Sequence, residues 1–365
     1  MAFEKLLSLS EFDIALQNQY SESGKSKEDF LIALKPNMMV FVNPKDHEAV
    51  VTDKALVEML IDHIRQLGFT RIALVEAQND VGRMFKNHHV LFIAGQIGYR
   101  PDGRYEIVDL TDESIRHTYD YVGLNGRIKT WKHTVGKTWR DADFRISFAK
   151  CKTHEHDYMT LSVKNIYGCF PDPNKVCEYH IKYEVWDVTG RSFRNFPVHF
   201  AFVDGWTASD GFQGYKIPSP RPLKMLFGGR DAVAVDMEVF RRAGLDPLKS
   251  RILKRVVQQT HDGKCDYPDY TVVGDKSTQF ADLMVWKNVS DEIVDAIDML
   301  EEVYFAWGFI NMKPAARFID YSLFPPKNIF SRIGVWFVKL MYGVFKGCKW
   351  YKKLYDRNRP GEGGS

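Results

Sequence analysis

Short apolar runs punctuate the chain, and each stops abruptly at polar or glycine residues. They are FLIALKPN (residues 30–37), RIALVEA (71–77), YEIVDLT (105–111), FRISFAK (144–150), VHFAFVDGW (198–206), LKMLFGG (223–229) and YTVVGD (270–275). Near-continuous apolarity of this length predicts strands buried on both faces, as in a parallel or mixed sheet. Helical patterns separate some of them. TDKALVEMLIDHIRQLG opens at Thr52 as a candidate N-cap and stops at Gly68. RDAVAVDMEVFRRAG opens beside Asp231 and stops at Gly244, with Pro247 just beyond. The alternation predicts an α/β domain over residues 1–279, with room for two lobes. Its mostly parallel or mixed sheet carries helices on both faces.

The pattern changes from residue 280. SDEIVDAIDMLEEVYFAWGF predicts a helix with Ser290 as N-cap and acids in the first turn. It belongs, with a Pro-broken linker, to a segment over 280–328. The segment 329–365 reads as a basic amphipathic helix with a flexible end. Its Arg332, Lys339, Lys346 and Lys353 recur every seven positions among aromatic and aliphatic residues. From Asp320 onward nine Lys and Arg face three Asp and Glu, although the whole chain carries only +3. Residues 329–357 are therefore expected to meet a membrane surface, or to pack on the body of the protein or across a homo-oligomer.

Composition narrows the classes. Near-neutral charge gives no reason to expect nucleic acid as a partner, and the aromatics of the tail are spaced for a helix face rather than for base stacking. Five cysteines, an odd number, fit a reducing compartment better than a disulfide framework. The opening MAFEKLLSLSEFD has acids beside its apolar run and does not read as a signal peptide. The expected location is cytoplasmic, peripheral on the inner face of the membrane if the tail docks there.

Ligands of open α/β sheets sit beyond the carboxyl ends of the strands. Lys35, Asn37, Glu76, Lys152, His154, Asp204 and Asp231 all fall at or just past such ends. The lysines are expected to hold a small anionic substrate or cofactor, with Asn37 and Asp231 beside them. The HEH at residues 154–156 is not the HExxH zinc helix. Cys169 and Cys177 are candidate cluster thiols, but no CxxC spacing supports them. Walker, GxGxxG and GxSxG motifs are absent.

LKPN, LVEA, KTH, SVKNIYGCFP with a following Lys and YH, VDGW, GGRDAVAVD and GLDP occur in that order between Leu31 and Gly274. The ordered set resembles the domain of unknown function 362 (DUF362) family. Many of its members carry ferredoxin-like cysteine motifs, which this chain lacks. A more local similarity is to the lactate racemase family, where a lysine holds a nickel pincer cofactor. His154, Lys164 and His180 match that order, with Ser162–Val163 where the racemases have a glycine pair. The resemblance implies catalytic roles for His154, Lys164 and His180 and a substrate contact at Asn165. A metal would fall to His180, Asp204 and Glu76. It admits a metal ion or an iron–sulfur cluster as cofactor and leaves the nickel pincer disfavoured. The function it implies is a redox reaction or proton-transfer isomerisation on a small anionic substrate. The alternative is a non-catalytic, membrane-apposed scaffold.

Overall fold

A computed structural model describes residues 2–38, 47–79, 89–154, 157–172, 175, 179, 183, 185–210 and 219–283. Its strands are β1 (Ile32–Pro36), β2 (Ile72–Glu76), β3 (Glu106–Asp109), β4 (Ser114–Val122), β5 (Ile128–Gly136), β6 (Phe144–His154), β7 (Tyr158–Thr160), β8 (Phe200–Asp210), β9 (Ser219–Arg221) and β10 (Met225–Gly229). The main sheet runs β10-β8-β6-β1-β2-β3. β8, β6, β1, β2 and β3 are mutually parallel, and β10 lies antiparallel on β8.

The helices are α1 (Ala2–Leu9), α2 (Phe12–Ser23), α3 (His47–Val50), α4 (Lys54–Gln66), α5 (Val90–Ile97), α6 (Lys137–Asp141), α7 (Ser162–Asn165), α8 (Val185–Asn195), α9 (Ala232–Arg242) and α10 (Arg251–Thr260). They cover both faces, as the doubly apolar strands require. The large side chains Ile32, Leu34, Ile146, Phe148, Phe200 and Phe202 pack with α1, α2, α4 and α5. The smaller Ala33, Ala73, Val75, Ala149, Ala201 and Val203 face α8, α9 and α10. The α/β fold read from the sequence is the fold of the chain.

Connections turn one way from β1 through β2 to β3, then return to place β6 on the other side of β1. The β1–β6 boundary is thus the point where the strand order reverses. In such sheets a crevice opens there beyond the strand ends.

Local expectations were corrected in several places. Thr52 does not cap α4; Asp53 does, accepting from the Ala55 amide at 2.7 Å. The Thr52 hydroxyl instead donates to the Phe148 carbonyl and accepts from the Asn37 amide. YTVVGD forms no strand: it finds no sheet edge, and Val273 is 56% exposed. β-Propensity without a partner or a packed face makes no strand. The hairpin β4–β5 had no clear signal in its mixed polar pattern. It docks through reciprocal bonds between Val122 and the Gln259 amide, 2.7 and 2.9 Å long. The helix expected from Ser290 and the basic segment 329–365 lie outside the described residues. Among the described residues no helix is long and apolar enough to cross a membrane.

Phe12 seals α2 to the sheet, fully buried, with ring contacts to Phe144, Phe200 and Phe202 at 5.0–6.2 Å. Phe12→Ala is expected to cost about 3–5 kcal/mol of stability in urea denaturation. A loss below about 1 kcal/mol would mean that α2 is not part of this core.

Candidate functional site

At the carboxyl ends of β1 and β6 the apolar pattern gives way to lysine. Lys35, Lys150 and Lys152 are 1%, 1% and 3% exposed. Buried ammonium groups need acceptors, and each has them. Lys35 Nζ donates to Glu76 Oε2 at 2.8 Å, to the Pro36 carbonyl at 2.7 Å and to Asn165 Oδ1 at 3.3 Å. Lys150 Nζ donates to Asp204 Oδ2 at 2.8 Å, and these two residues are register partners on β6 and β8. Asp204 also accepts from the amides of Asp53 and Trp206, both at 2.9 Å.

Lys152 Nζ donates to Asn37 Oδ1 at 2.7 Å and to the Val50 carbonyl at 3.0 Å. Burial depresses its pKa most, and the charges of Lys164, Lys35 and Lys150 add to this against Glu76. The amine falls to about 7 from the ordinary 10.5. It therefore exchanges its proton in the neutral range, where an ordinary lysine stays charged.

Two asparagines join the strands. Asn165 Nδ2 donates to the Lys35 carbonyl at 2.8 Å and to Ser147 Oγ at 3.1 Å, while its Oδ1 accepts from Asn37 Nδ2 at 3.3 Å. Asn165 is placed by α7, and α7 is capped from a distance. Asp236 of α9 accepts from the Ser162 amide, the Ser162 hydroxyl and the Val163 amide at 2.9, 2.6 and 2.8 Å. Asp157, in the β6–β7 turn, accepts from Ser250 Oγ at 2.5 Å and the Arg251 amide at 2.7 Å at the start of α10. Burial raises both carboxyls to about 7 against these hydrogen bonds, and the Lys164 charge pulls Asp157 down.

Gly168, in the 3-10 turn Ile166–Cys169, completes the floor. A Cβ there would lie 2.7 Å from Lys35 Cε and 2.8 Å from its Nζ, and would press on Glu76 Oε1. Only glycine lets the turn close on the ion pair, and its carbonyl accepts from the Ala77 amide at 3.0 Å.

Of the residues singled out from the sequence, Lys35, Asn37, Glu76, Lys152 and Asn165 form this connected cluster, with Asp204 beside it through Lys150. His154 ends β6, half-buried, and Lys164 is half-buried on α7. Asp231 is elsewhere. β10 runs antiparallel, Gly229 pairing with Ala201 near the start of β8, so its carboxyl end lies at the opposite sheet edge. Asp231 there caps α9, accepting from Val233 and Ala234. His180 and Cys177 lie outside the described residues.

The expected metal ligands Glu76 and Asp204 are each engaged by an ammonium group. Among the described residues no group of three His, Cys, Asp or Glu is placed to hold a metal ion. Cys169 and Cys151 are buried, and burial pushes both thiols up to about 12. Sequence reading missed Lys150, Ser147, Asp157 and Asp236. Lys150 had a signal: it continues the alternation Phe144, Ile146, Phe148 as the first charged member.

The family model described as Domain of unknown function (DUF362) matches residues 32–241, more than half of the chain and all of this cluster. No curated protein matches the chain, and no solved structure does.

Asp204→Asn removes the countercharge of Lys150 and is expected to cost about 3–5 kcal/mol in urea denaturation. Adding Lys150→Met should recover part of that loss; a double variant no more stable than Asp204→Asn would contradict the pairing. Lys152 sets a pH dependence. The folded chain releases this proton near 7 and the unfolded chain near 10.5, so its penalty is full below 7 and fades as pH climbs to 10.5. Wild type should therefore gain stability relative to Lys152→Met over that window and stay parallel to it below. Asp157 and Asp236 act oppositely: the folded chain keeps their protons longer, so stability falls as pH rises from 3.8 towards 7.

Proposed function

We propose that this chain, which belongs to the DUF362 family, is an enzyme that binds a small anionic substrate at the β1–β6 crevice and moves a proton on it. Lys152 is its acid–base group. The observation that carries this reading is a lysine 3% exposed, at the strand-order reversal, with a pKa lowered to about 7. A general acid or base works best with a pKa near the operating pH, and lysines reach that value only by burial and cationic neighbours. Structural ion pairs also shift pKa values, but they shift lysines upward rather than towards neutrality.

The surrounding residues have distinct tasks. Lys35 and Lys150 are fixed by Glu76 and Asp204, and their charges add to burial in lowering the pKa of Lys152. Asn37 holds the Lys152 amine by accepting from it and is itself tied to Asn165. Lys164 adds charge that favours the neutral amine. His154, half-buried two residues along β6, is suited to pass the proton between site and solvent. Substrate binding changes the balance: an anion beside Lys152 favours its charged form, so the amine takes up a proton as the ligand arrives. Between the redox and proton-transfer reactions implied by the family, proton transfer is the one that an amine of this kind supplies directly.

Calorimetric titration of the full chain with oxalate and with sulfate tests the reading, because neither dianion changes charge between pH 6 and 9. Saturable binding is expected at pH 6, weakening as pH passes 7, and at least tenfold weaker in Lys152→Met. Equal affinity of wild type and Lys152→Met for both anions would sink the assignment.

A further inference from the structure

We infer that Thr160 is a second substrate contact, its hydroxyl sharing one anion oxygen with the Lys152 ammonium. This rests on the function proposed above. Thr160 is 4% exposed, and among the described residues its Oγ1 has no hydrogen-bond partner. A buried hydroxyl without a partner loses its hydration for nothing, which folded chains rarely tolerate unless a ligand supplies the bond.

Its position points to which ligand. β7 pairs antiparallel with β6, and Thr160 is the register partner of Lys152. Side chains directly opposite across antiparallel strands share a face, with Cβ atoms roughly 4.5–5.5 Å apart. On its other side Lys152 already pairs with Ser209 of β8. β7 must therefore fill the β1 side of β6, beyond the point where β1 ends at Pro36 and the chain continues into Asn37. That places Thr160 over the strand-order reversal itself. Its neighbours Met159 and Leu161 pack into the core with Ala149 and Cys151, so Thr160 turns to the opposite face. Lys152 reaches Val50 of α3 on that same face.

An ammonium only donates, and a hydroxyl beside it donates equally well. An oxyanion with an oxygen between them satisfies both, and a carboxylate or sulfate-like group has that chemistry. A neutral amine instead would present two donors of unequal strength and no charge, so the pair discriminates for anions most strongly below pH 7.

Thr160→Val keeps the shape and removes the hydroxyl; Thr160→Ser keeps the hydroxyl. Both are titrated with oxalate and sulfate at pH 6, with melting temperature followed with and without each anion. The expected result is a ligand-free melting temperature for Thr160→Val equal to or above wild type, because no protein bond is lost. Its affinity for at least one anion should fall roughly ten- to a hundredfold, with a smaller anion-induced rise in melting temperature. Thr160→Ser should bind within a few-fold of wild type. Unchanged affinity of Thr160→Val, with Lys152→Met still impaired, would overturn the contact alone and assign the hydroxyl to a buried water. A lower ligand-free melting temperature would overturn it too, because the hydroxyl would then serve the fold. Binding of neither anion by wild type would remove this contact together with the proposed function.

Discussion

Three lysine ammonium groups are buried at the carboxyl ends of two neighbouring strands, and the rest of the structure is arranged to make that tolerable. Moving an ammonium ion from water into a protein interior is unfavourable by several kcal/mol even after relaxation. Lys35 has Glu76, Lys150 has Asp204, and Lys152 donates to Asn37 and the Val50 carbonyl while giving up much of its affinity for the proton. The last is the form that chemistry can use, because it leaves a group that changes charge near neutrality.

The fold supplies what those solutions need. A parallel sheet whose order reverses at β1–β6 brings two carboxyl ends side by side. The partners come from four further places: Glu76 from β2, Asp204 from β8, Asn37 from the exit of β1, and Asn165 from α7. The position of α7 depends in turn on Asp236, eleven-residue α9 bringing its carboxylate to the start of a four-residue helix that has no cap of its own. A helix that short does not stand by itself, since its nucleus is unfavourable. It exists because a distant carboxylate satisfies its first amides.

The buried carboxyls Asp157 and Asp236 carry the opposite problem from Lys152. Burial raises them towards 7 even though each accepts several hydrogen bonds. Both sit at helix starts, where backbone amides and the helix dipole favour negative charge. Lys164 lies within electrostatic reach of both Asp157 and Lys152, and its charge lowers the pKa of each.

The sequence by itself determined the layers. Runs such as FLIALKPN and FRISFAK are apolar at every position, and only a sheet buried on both faces can accept them. It also located Lys35, Asn37, Glu76, Lys152 and Asp204, because polar groups ending an apolar strand stand at the sheet edge whatever the partner strands are. Asn165 was found through family likeness alone. Tertiary structure decided the rest. Strand direction is not written in a strand's own residues, and the reversal of β10 removed Asp231 from the site to the far edge. Pairing is not written there either: Lys150 finds Asp204 at a separation of 54 residues and Ser162 finds Asp236 at 74. The shift of Lys152 is the clearest case. A lysine's proton affinity is set by the water it loses and the charges it meets, and both are fixed only when distant strands close around it.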